Sequence, residues 1–409
     1  MNTLPYDVEA IRADFPILSE PVRGKRLVYL DSAGSAQKPR QVIEAVQRVY
    51  GSEYSNVHRG LHYMSEQTSA RYEEAREKVR AFINAKHEHE VIFTKGTTES
   101  INMVASSFGN ANVGLGDEVI ITHAEHHSNI VPWQLLRDRT GCVLKVVPVD
   151  EHGSFKLSDF DELITKKTKI VAFCHVSNVL GTVLPVREIA DIAHARGAVV
   201  VIDGAQGLVH MPVDMQALDA DFYVFSGHKL YAPSGVGVLY GKEALLEAMP
   251  PYQGGGGMIN TVSFEKTTWA DLPDKFEAGT PPIAQAIGLG VAIDYLSGIG
   301  MAAIAEHERA LLNYATQQLS AVEGFNFVGT AVGKASVVSF TMDCAHPHDI
   351  STIIDQNGVA VRAGHHCAQP LMDRFDLPST ARASLGLYNT YEDIDILAES
   401  LEKVREIFR

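Results

Sequence analysis

Between residues 90 and 241, seven short apolar runs alternate with segments of helical pattern, and this alternation constrains the fold more than any other feature of the sequence. The runs are EVIF, DEVIIT, CVLKVVPV, KIVAFCHV, AVVVID, DFYVFS and GVGVLYG. Because they are continuously apolar, they are typical of strands that are buried on both faces. The pattern therefore predicts an α/β fold in which helices cover a mostly parallel sheet.

The pattern changes after a run of four glycines and a Pro-Pro pair. A helical pattern extends from about Ile283 to Leu319, and the runs SVVSFTM, VAVRAG and TARASLGLY then predict strands separated by helices, with a last helix after Thr390. We expect a smaller α+β domain here. The predicted division is a large domain of residues 21–275 and a small domain of residues 1–20 and 276–409.

Composition limits the partners and the compartment. Lys and Arg number 35 against 50 Asp and Glu, and the net charge of −15 argues against nucleic acid or an anionic membrane as the main partner. No run approaches the roughly 18 to 20 apolar residues that span a bilayer, and the N-terminus lacks a secretory signal pattern. The four cysteines are widely spaced, so we expect free thiols and a cytoplasmic protein whose partners are small molecules or proteins.

Polar residues follow several predicted strands, at the edge where open parallel sheets bind ligands. Asp203 ends an all-apolar strand, where burying an unpaired carboxylate would be costly. Lys229 follows the next strand beside small residues, and such surroundings can lower the pKa of an ammonium group. Taken singly, a lysine more often reaches solvent, and Ser or Thr before a helix is usually a cap.

Together these residues match the needs of pyridoxal phosphate (PLP). PLP requires a lysine for its aldehyde, an acid for its pyridinium nitrogen, an anion site for its phosphate and a flat group against its ring. Lys229, Asp203 and His126 supply the lysine, the acid and the flat group. The candidate phosphate donors are Thr97, Thr98, Ser226 and His228.

The chain resembles the group II cysteine desulfurases and selenocysteine lyases of the class V aminotransferase superfamily, and most closely the Suf-type desulfurases. The blocks that carry the resemblance are ADFPIL, YLDSAGSAQKP, NVHRG, GTTESIN, EHHSNIVPW, HVSNVLGT, IDGAQ, FYVFSGHKLY, FEAGTP, RAGHHCAQP and RASLGLYN. The resemblance implies fold-type I of the PLP enzymes, in which a large domain with a mostly parallel seven-stranded sheet is joined to a smaller α+β domain.

For the cofactor side, the resemblance implies that Lys229 bonds the aldehyde and Asp203 pairs with the pyridine nitrogen. It also implies that Gln206 hydrogen-bonds the ring hydroxyl oxygen, and that His126 stacks on the ring and assists proton transfer. The implied phosphate ligands are Thr98, Ser226, His228 and, from a second subunit, Thr280. The last assignment implies a homodimer with shared active sites.

For the substrate side, the resemblance places Arg382 on the amino-acid carboxylate, with Asn178 assisting. A planar guanidinium provides the bidentate contact that a carboxylate needs. Cys367 matches the nucleophile that takes the substrate sulfur and becomes a persulfide. Arg362 and His58 match residues that line its approach.

The sequence therefore predicts a PLP-dependent cysteine desulfurase that converts L-cysteine to L-alanine and passes sulfane sulfur from Cys367 to a Suf-type acceptor for iron-sulfur cluster assembly. A selenocysteine lyase acting on L-selenocysteine shares every PLP residue and stays an alternative. Two further alternatives are an aminotransferase or epimerase of the same superfamily and a non-catalytic sulfur carrier or scaffold. We expect no metal, because His365, His366 and Cys367 lack a second spaced pair of ligands.

Overall fold

The computed structural model describes residues 6–408. Its centre is a seven-stranded sheet with the spatial order Val91–Thr94, Gly237–Gly241, Phe222–Ser226, Val199–Asp203, Thr168–Cys174, Glu118–Thr122 and Val143–Val147. Strand Gly237–Gly241 is antiparallel to both neighbours, and the remaining pairings are parallel. The mostly parallel seven-stranded sheet that the apolar runs predict is confirmed.

Six strands of this sheet are buried on both faces, which explains their continuous apolar runs. The run that forms the edge strand Val143–Val147 differs from this expectation, because Val143 and Val146 are exposed. In the strand Thr168–Cys174, Val171 and Phe173 pack into one core cluster, whereas Ile170 and Ala172 pack into a second cluster. Successive side chains of a strand point to opposite faces, so the two clusters lie on opposite sides of the sheet. Polar side chains are therefore concentrated where the strands end.

Helices pack on both faces of the sheet and connect its parallel strands. In this part of the chain they are Arg40–Arg48, Tyr63–Phe82, Thr97–Val104, Asn110–Asn112, Val131–Thr140, Leu157–Leu163, Val186–His194, Gly207–His210, Met215–Leu218, Glu243–Ala248 and Ile283–Ile299. A two-stranded antiparallel hairpin, Ile259–Val262 with Thr267–Trp269, follows the glycine run.

The C-terminal part is built on a four-stranded antiparallel sheet with the spatial order Phe325–Val328, Val337–Met342, Thr380–Ser384 and Arg362–Gly364. Its helices are Met301–Ser320, Pro347–Asp355, Gln369–Arg374 and Tyr391–Ile407. This α+β arrangement agrees with the predicted pattern, with two differences. The short strand Phe325–Val328 was not predicted, and the run VAVRAG forms two strands in different sheets, Val359–Ala360 and Arg362–Gly364. A third core cluster lies between this sheet and its helices.

The helical pattern predicted as one segment from Ile283 to Leu319 forms two helices, so that interpretation was wrong. Gly300 has a φ of 94°, which ends the first helix, and Met301–Ser320 begins at the next residue. The two helices meet at 73°. Within the described residues no single helix has the length and hydropathy to cross a bilayer; only this bent pair meets those criteria, and only when taken together.

The N-terminal segment packs against the C-terminal part. Strand Val28–Tyr29 pairs in parallel with Val359–Ala360, and Asp31 forms a β-bridge with Ser384. These contacts lie beyond residue 20, where the sequence places the boundary of the small domain. The division into two domains stays a prediction, and the pairing brings the turn after Asp31 to the edge of the central sheet.

Candidate active site

A cavity of about 250 Å³ opens at the carboxyl ends of the parallel strands, between the central sheet and the C-terminal part. We call it the central pocket. The predicted site residues that line it are Thr97, Thr98, His126, Asn178, Asp203, Gln206, Ser226, His228, Lys229, Arg362, Cys367 and Arg382. The structure thus brings together residues that are up to 285 positions apart in sequence, because the strands end at a common edge.

Lys229 and Asp203 form the charged floor of this pocket. Burial lowers the pKa of the Lys229 ammonium to about 8. The negative charge of Asp203 opposes this shift, and the positive charges of Arg382 and Arg362 contribute to it. Burial raises the pKa of Asp203, and the charge of Lys229 opposes that shift. Asp203 accepts a hydrogen bond from the N–H of Ala205 at 2.9 Å. At pH 7 a minor fraction of this lysine, about a tenth, is therefore in the neutral, nucleophilic form.

The candidate phosphate side lies at the N-terminus of helix Thr97–Val104. The N–H of Thr97 donates to Ser226 Oγ at 2.9 Å, and the two hydroxyl oxygens lie 2.8 Å apart. Gly96 precedes the helix with a φ of 152°, and a Cβ there would lie 3.2 Å from Ser226 Oγ. The free N–H groups of a helix N-terminus bind anions, so this corner suits a phosphate.

His126 presents a neutral ring to the pocket. Burial, followed by the charge of Lys229, lowers the pKa of His126 to about 3. Its Nδ1 accepts the backbone N–H of Ser128 at 3.1 Å and lies 2.6 Å from Ser128 Oγ. Because Nδ1 is an acceptor, the neutral ring carries its proton on Nε2. Such a ring can pack flat against another planar group.

Gln206 and His228 tie the pocket to the N-terminal segment. Gln206 Nε2 donates to the carbonyl oxygen of Ala33 at 3.0 Å. The carbonyl oxygen of His228 accepts the N–H of Ala36 at 3.1 Å. Burial lowers the pKa of His228 to about 4, so its imidazole is neutral.

Cys367 lies on a strained turn of the C-terminal part. His366 and Cys367 have φ values of 52° and 55°, a region that non-glycine residues occupy at a cost of about 1–3 kcal/mol each. Two groups from loops that follow strands of the central sheet hold this turn. The N–H of His127 donates to the carbonyl oxygen of Cys367 at 2.7 Å, and Asn178 Nδ2 donates to that of His366 at 2.7 Å. The contacts fix a partly exposed thiol against the central pocket.

Arg382 is the buried cation of the pocket, with a side chain that is 2% exposed. Its Nη1 donates to the carbonyl oxygen of Asn178 at 2.9 Å, and its Nη2 pairs with Asp31 at 3.0 Å. Arg362 lies opposite Arg382 on the neighbouring strand and is exposed. Two guanidinium groups on adjacent strands make this wall suitable for a carboxylate.

His58 and Thr280 are the two predicted site residues that the structure does not place in the central pocket. Both line a second cavity of about 340 Å³, together with Gly256, Gly257 and Glu277. His58 Nε2 lies 2.8 Å from Glu73, which raises the pKa of His58. Within one chain, therefore, neither side chain reaches the cavity that holds Lys229.

Sequence reasoning missed three titratable residues at the site. Glu125, directly before His126, is fully buried, and burial raises its pKa to about 7. It accepts the N–H of Cys174 at 3.0 Å, and Cys174 itself lines the central pocket. The third is Asp31, the partner of Arg382. Glu125 and Asp31 follow apolar runs, and Cys174 is the last residue of its strand, so only the shared strand-end position could have indicated them.

The residues of the central pocket fit PLP. A buried acid, a buried lysine of low pKa, a neutral ring and a helix N-terminus surround one cavity. These are the groups that hold the pyridine nitrogen, the aldehyde, the ring face and the phosphate of PLP. Across residues 6–408, no three His, Cys, Asp or Glu side chains are grouped in a way that could hold a metal ion.

Comparison with known proteins agrees with the geometry. Residues 28–397 match the family described as Aminotransferase class-V. The chain is 53% identical over 398 residues to a probable cysteine desulfurase of Halalkalibacterium halodurans, covering 97% of this chain and 98% of that protein. It is 49% identical over 405 residues to a cysteine desulfurase of Escherichia coli, covering 99% and 100% of the two chains.

Among solved structures, the crystal structure of the cysteine desulfurase CsdA from Escherichia coli, in an S-sulfonic acid form, superposes with a TM-score of 0.93 at 40% identity. That alignment covers 99% of this chain and 100% of the other. The match therefore includes the central sheet, the C-terminal sheet and the pocket between them. This chain belongs to the aminotransferase class-V family.

Proposed function

We propose that this chain is a PLP-dependent cysteine desulfurase that converts L-cysteine to L-alanine and holds the released sulfur on Cys367. The observation that carries the proposal is that Lys229, Asp203 and Cys367 line one cavity of about 250 Å³. The likeness to proteins named cysteine desulfurase over almost the whole chain supports it. A sulfur carrier without catalysis would not need the buried lysine and acid.

The cofactor would be held by the residues that surround its four groups. Asp203 would pair with the pyridine nitrogen, Lys229 would bond the aldehyde, and His126 would pack on the ring. The phosphate would lie against the N-terminus of helix Thr97–Val104, beside Ser226. When bound, PLP supplies an electron-withdrawing ring that makes the substrate Cα proton removable.

The chain's own residues then position the substrate and move its protons. Arg382 binds the substrate carboxylate, and its burial keeps competing water away. Lys229 Nζ, with its pKa near 8, is the base that takes the Cα proton. The neutral ring of His126 carries its proton on Nε2, and this N–H can donate a hydrogen bond at the pocket wall.

Cys367 takes the sulfur. Its thiolate forms a bond to the substrate sulfur while the bond between that sulfur and Cβ breaks, and the electron pair of the broken bond stays with the carbon fragment. Protonation of that fragment gives alanine. Atoms and electrons balance without any additional oxidant, because the substrate sulfur becomes sulfane sulfur on the protein.

Mass spectrometry after incubation with L-cysteine tests the proposal. We expect a gain of one or more sulfur atoms on the peptide that contains Cys367, together with L-alanine in solution. Treatment with a thiol should remove the added mass, because a persulfide is reducible. Formation of pyruvate or another keto acid without added sulfur would contradict the proposal and favour an aminotransferase.

The lowered pKa of Lys229 predicts how the protein captures PLP. Only the neutral amine attacks an aldehyde, and at pH 7 about a tenth of a group with a pKa near 8 is neutral. The rate at which cofactor-free protein forms its imine absorbance should rise about tenfold from pH 6 to pH 7 and level off above pH 8. A blocked lysine with a pKa near 10.4 is the control and should continue to rise. The same continued rise in the protein would contradict the low pKa.

Five finer parts of the function are also proposals. The cavity that holds Thr280 and His58 would complete the central pocket of a second copy, so we propose a homodimer with shared active sites. We propose a Suf-type protein as sulfur acceptor, iron-sulfur cluster assembly as the purpose, and a cytoplasmic location. L-Selenocysteine would use the same Lys229 and Arg382, so selenocysteine lyase activity is proposed as a second activity.

A further inference from the structure

The guanidinium of Arg382, proposed to bind the substrate carboxylate, is already paired with a carboxylate of this chain. Asp31 accepts a hydrogen bond from Nη2 at 3.0 Å. The Arg382 side chain is 2% exposed, and that of Asp31 is 28% exposed. Asp31 lies in the N-terminal segment, 351 positions from Arg382, so the contact exists only because Asp31 bridges to Ser384 on the Arg382 strand.

Arg382 has N–H donors that its contacts within the chain do not use. A guanidinium has five N–H donors. One on Nη1 goes to the carbonyl oxygen of Asn178, one on Nη2 goes to Asp31, and Nε is buried without a partner in the described chain. One N–H on each terminal nitrogen remains, and such a pair is what a bidentate carboxylate binds. The direction in which these two N–H groups point depends on the contacts that hold the rest of the Arg382 guanidinium.

Gly34 provides the space for the Asp31 carboxylate. A Cβ at Gly34 would lie 2.7 Å from Oδ1, 2.8 Å from Oδ2 and 3.0 Å from Cγ of Asp31. The φ of Gly34 is not positive, so its backbone conformation accepts alanine. The carbonyl oxygen of Asp31 accepts the N–H groups of Gly34 and Ser35 at 3.0 and 3.2 Å, which holds the turn. An added methyl group would therefore displace the carboxylate before the backbone.

We propose that Asp31 is a positioning residue for substrate binding, which fixes the Arg382 guanidinium so that its two free terminal N–H groups face the central pocket. Gly34 is the small residue that permits this contact. The proposal rests on the proposed function, because it takes the substrate carboxylate to bind Arg382. An arginine stays charged without an acidic partner, so Asp31 provides direction and not ionisation.

Binding of L-alanine to the PLP-loaded protein, measured by calorimetry, tests the proposal beside steady-state kinetics with L-cysteine. Asp31→Ala should raise the Kd for L-alanine and the KM for L-cysteine about tenfold, the loss of one charged hydrogen bond, while kcat changes less than about threefold. Asp31→Asn keeps an acceptor oxygen and should restore both constants to within about threefold of the original protein. Gly34→Ala should shift both constants in the same direction as Asp31→Ala. Because Gly34 also lines the central pocket, the double variant Asp31→Ala with Gly34→Ala should bind no more weakly than Asp31→Ala alone, and weaker binding would show a direct steric effect of the methyl group. Arg382→Ala should give the largest increase in the Kd for L-alanine and in the KM for L-cysteine.

Gly298→Ala is the matched control, because a Cβ there meets nothing within 4 Å and Gly298 lines no part of the central pocket. It should leave both constants unchanged. Unchanged L-alanine affinity in Asp31→Ala and Gly34→Ala would overturn the proposal, as would a fall in kcat at constant KM. If Asp31→Ala does not fold, Gly34→Ala decides, since it retains the acid. A protein that binds L-alanine but forms no persulfide would refute the proposed reaction and leave the role of Asp31 measurable.

Discussion

Replacing Cys367 with alanine is expected to lower the rate of alanine formation from L-cysteine by at least about a thousandfold, as removal of an essential nucleophile does in other enzymes. Cys174 also lines the central pocket, but it cannot substitute. Burial raises the pKa of the Cys174 thiol far above its usual range, and its S–H points to the carbonyl oxygen of Ala124 at 3.8 Å. A protonated thiol does not attack sulfur at a useful rate.

The same Cys367→Ala variant should keep PLP bound, with unchanged visible absorbance, because the lysine and the acid that hold the cofactor are intact. It should also retain much of its activity on L-selenocysteine, since selenium leaves carbon more easily than sulfur. Cys344→Ala is the matched control: Cys344 is a free, partly exposed thiol that does not line the pocket, and its loss should have no effect. Loss of both activities in Cys367→Ala would contradict the assigned role.

Replacing Lys229 with alanine should also lower activity by at least about a thousandfold, because it removes both the covalent link to PLP and the base. After borohydride reduction, the original protein should carry the cofactor mass on the Lys229 peptide, and the variant should carry none. The physical reason is position as well as pKa. Among the lysines of residues 6–408, Lys229 alone lines the central pocket with Asp203.

Lys334 provides a matched control for this second prediction. Burial lowers the pKa of Lys334 to about 8, the same value as for Lys229, but Lys334 lines a separate cavity of the C-terminal part. Its Nζ donates to the carbonyl oxygen of Gly329 at 2.5 Å. Lys334→Met should therefore keep cofactor attachment and activity. Cofactor mass on Lys334, or on any lysine in the Lys229→Ala variant, would show that the assignment is wrong.

The backbone at Cys367 is strained and is held in place by two hydrogen bonds. Two successive residues with positive φ are held by His127 and Asn178, which belong to loops after different strands of the central sheet. The thiol therefore lies on a short, anchored turn and not on a free loop. Its approach to the substrate depends on these two loops as much as on its own strand.

The central sheet could be predicted because its physics is local in the sequence. A strand buried on both faces needs a continuous apolar run, and the seven runs correspond to the seven strands, although the edge strand Val143–Val147 is partly exposed. Strand ends must then be polar, which identifies Asp203, Lys229 and His126 without a structure. The helix break at Gly300 could not be predicted with the same certainty, because one glycine in an apolar helix is often tolerated.

The sequence alone therefore determined the α/β architecture and the residue types available at the sheet edge, since both follow from periodicity and from the cost of burying polar groups. Only the tertiary structure decided which of these groups meet. It placed Cys367 and Arg382 opposite Lys229, placed His58 and Thr280 in another cavity, and joined Asp31 to Arg382 across 351 positions. Such contacts depend on how two sheets pack against each other, and no pattern within either segment encodes that packing distance.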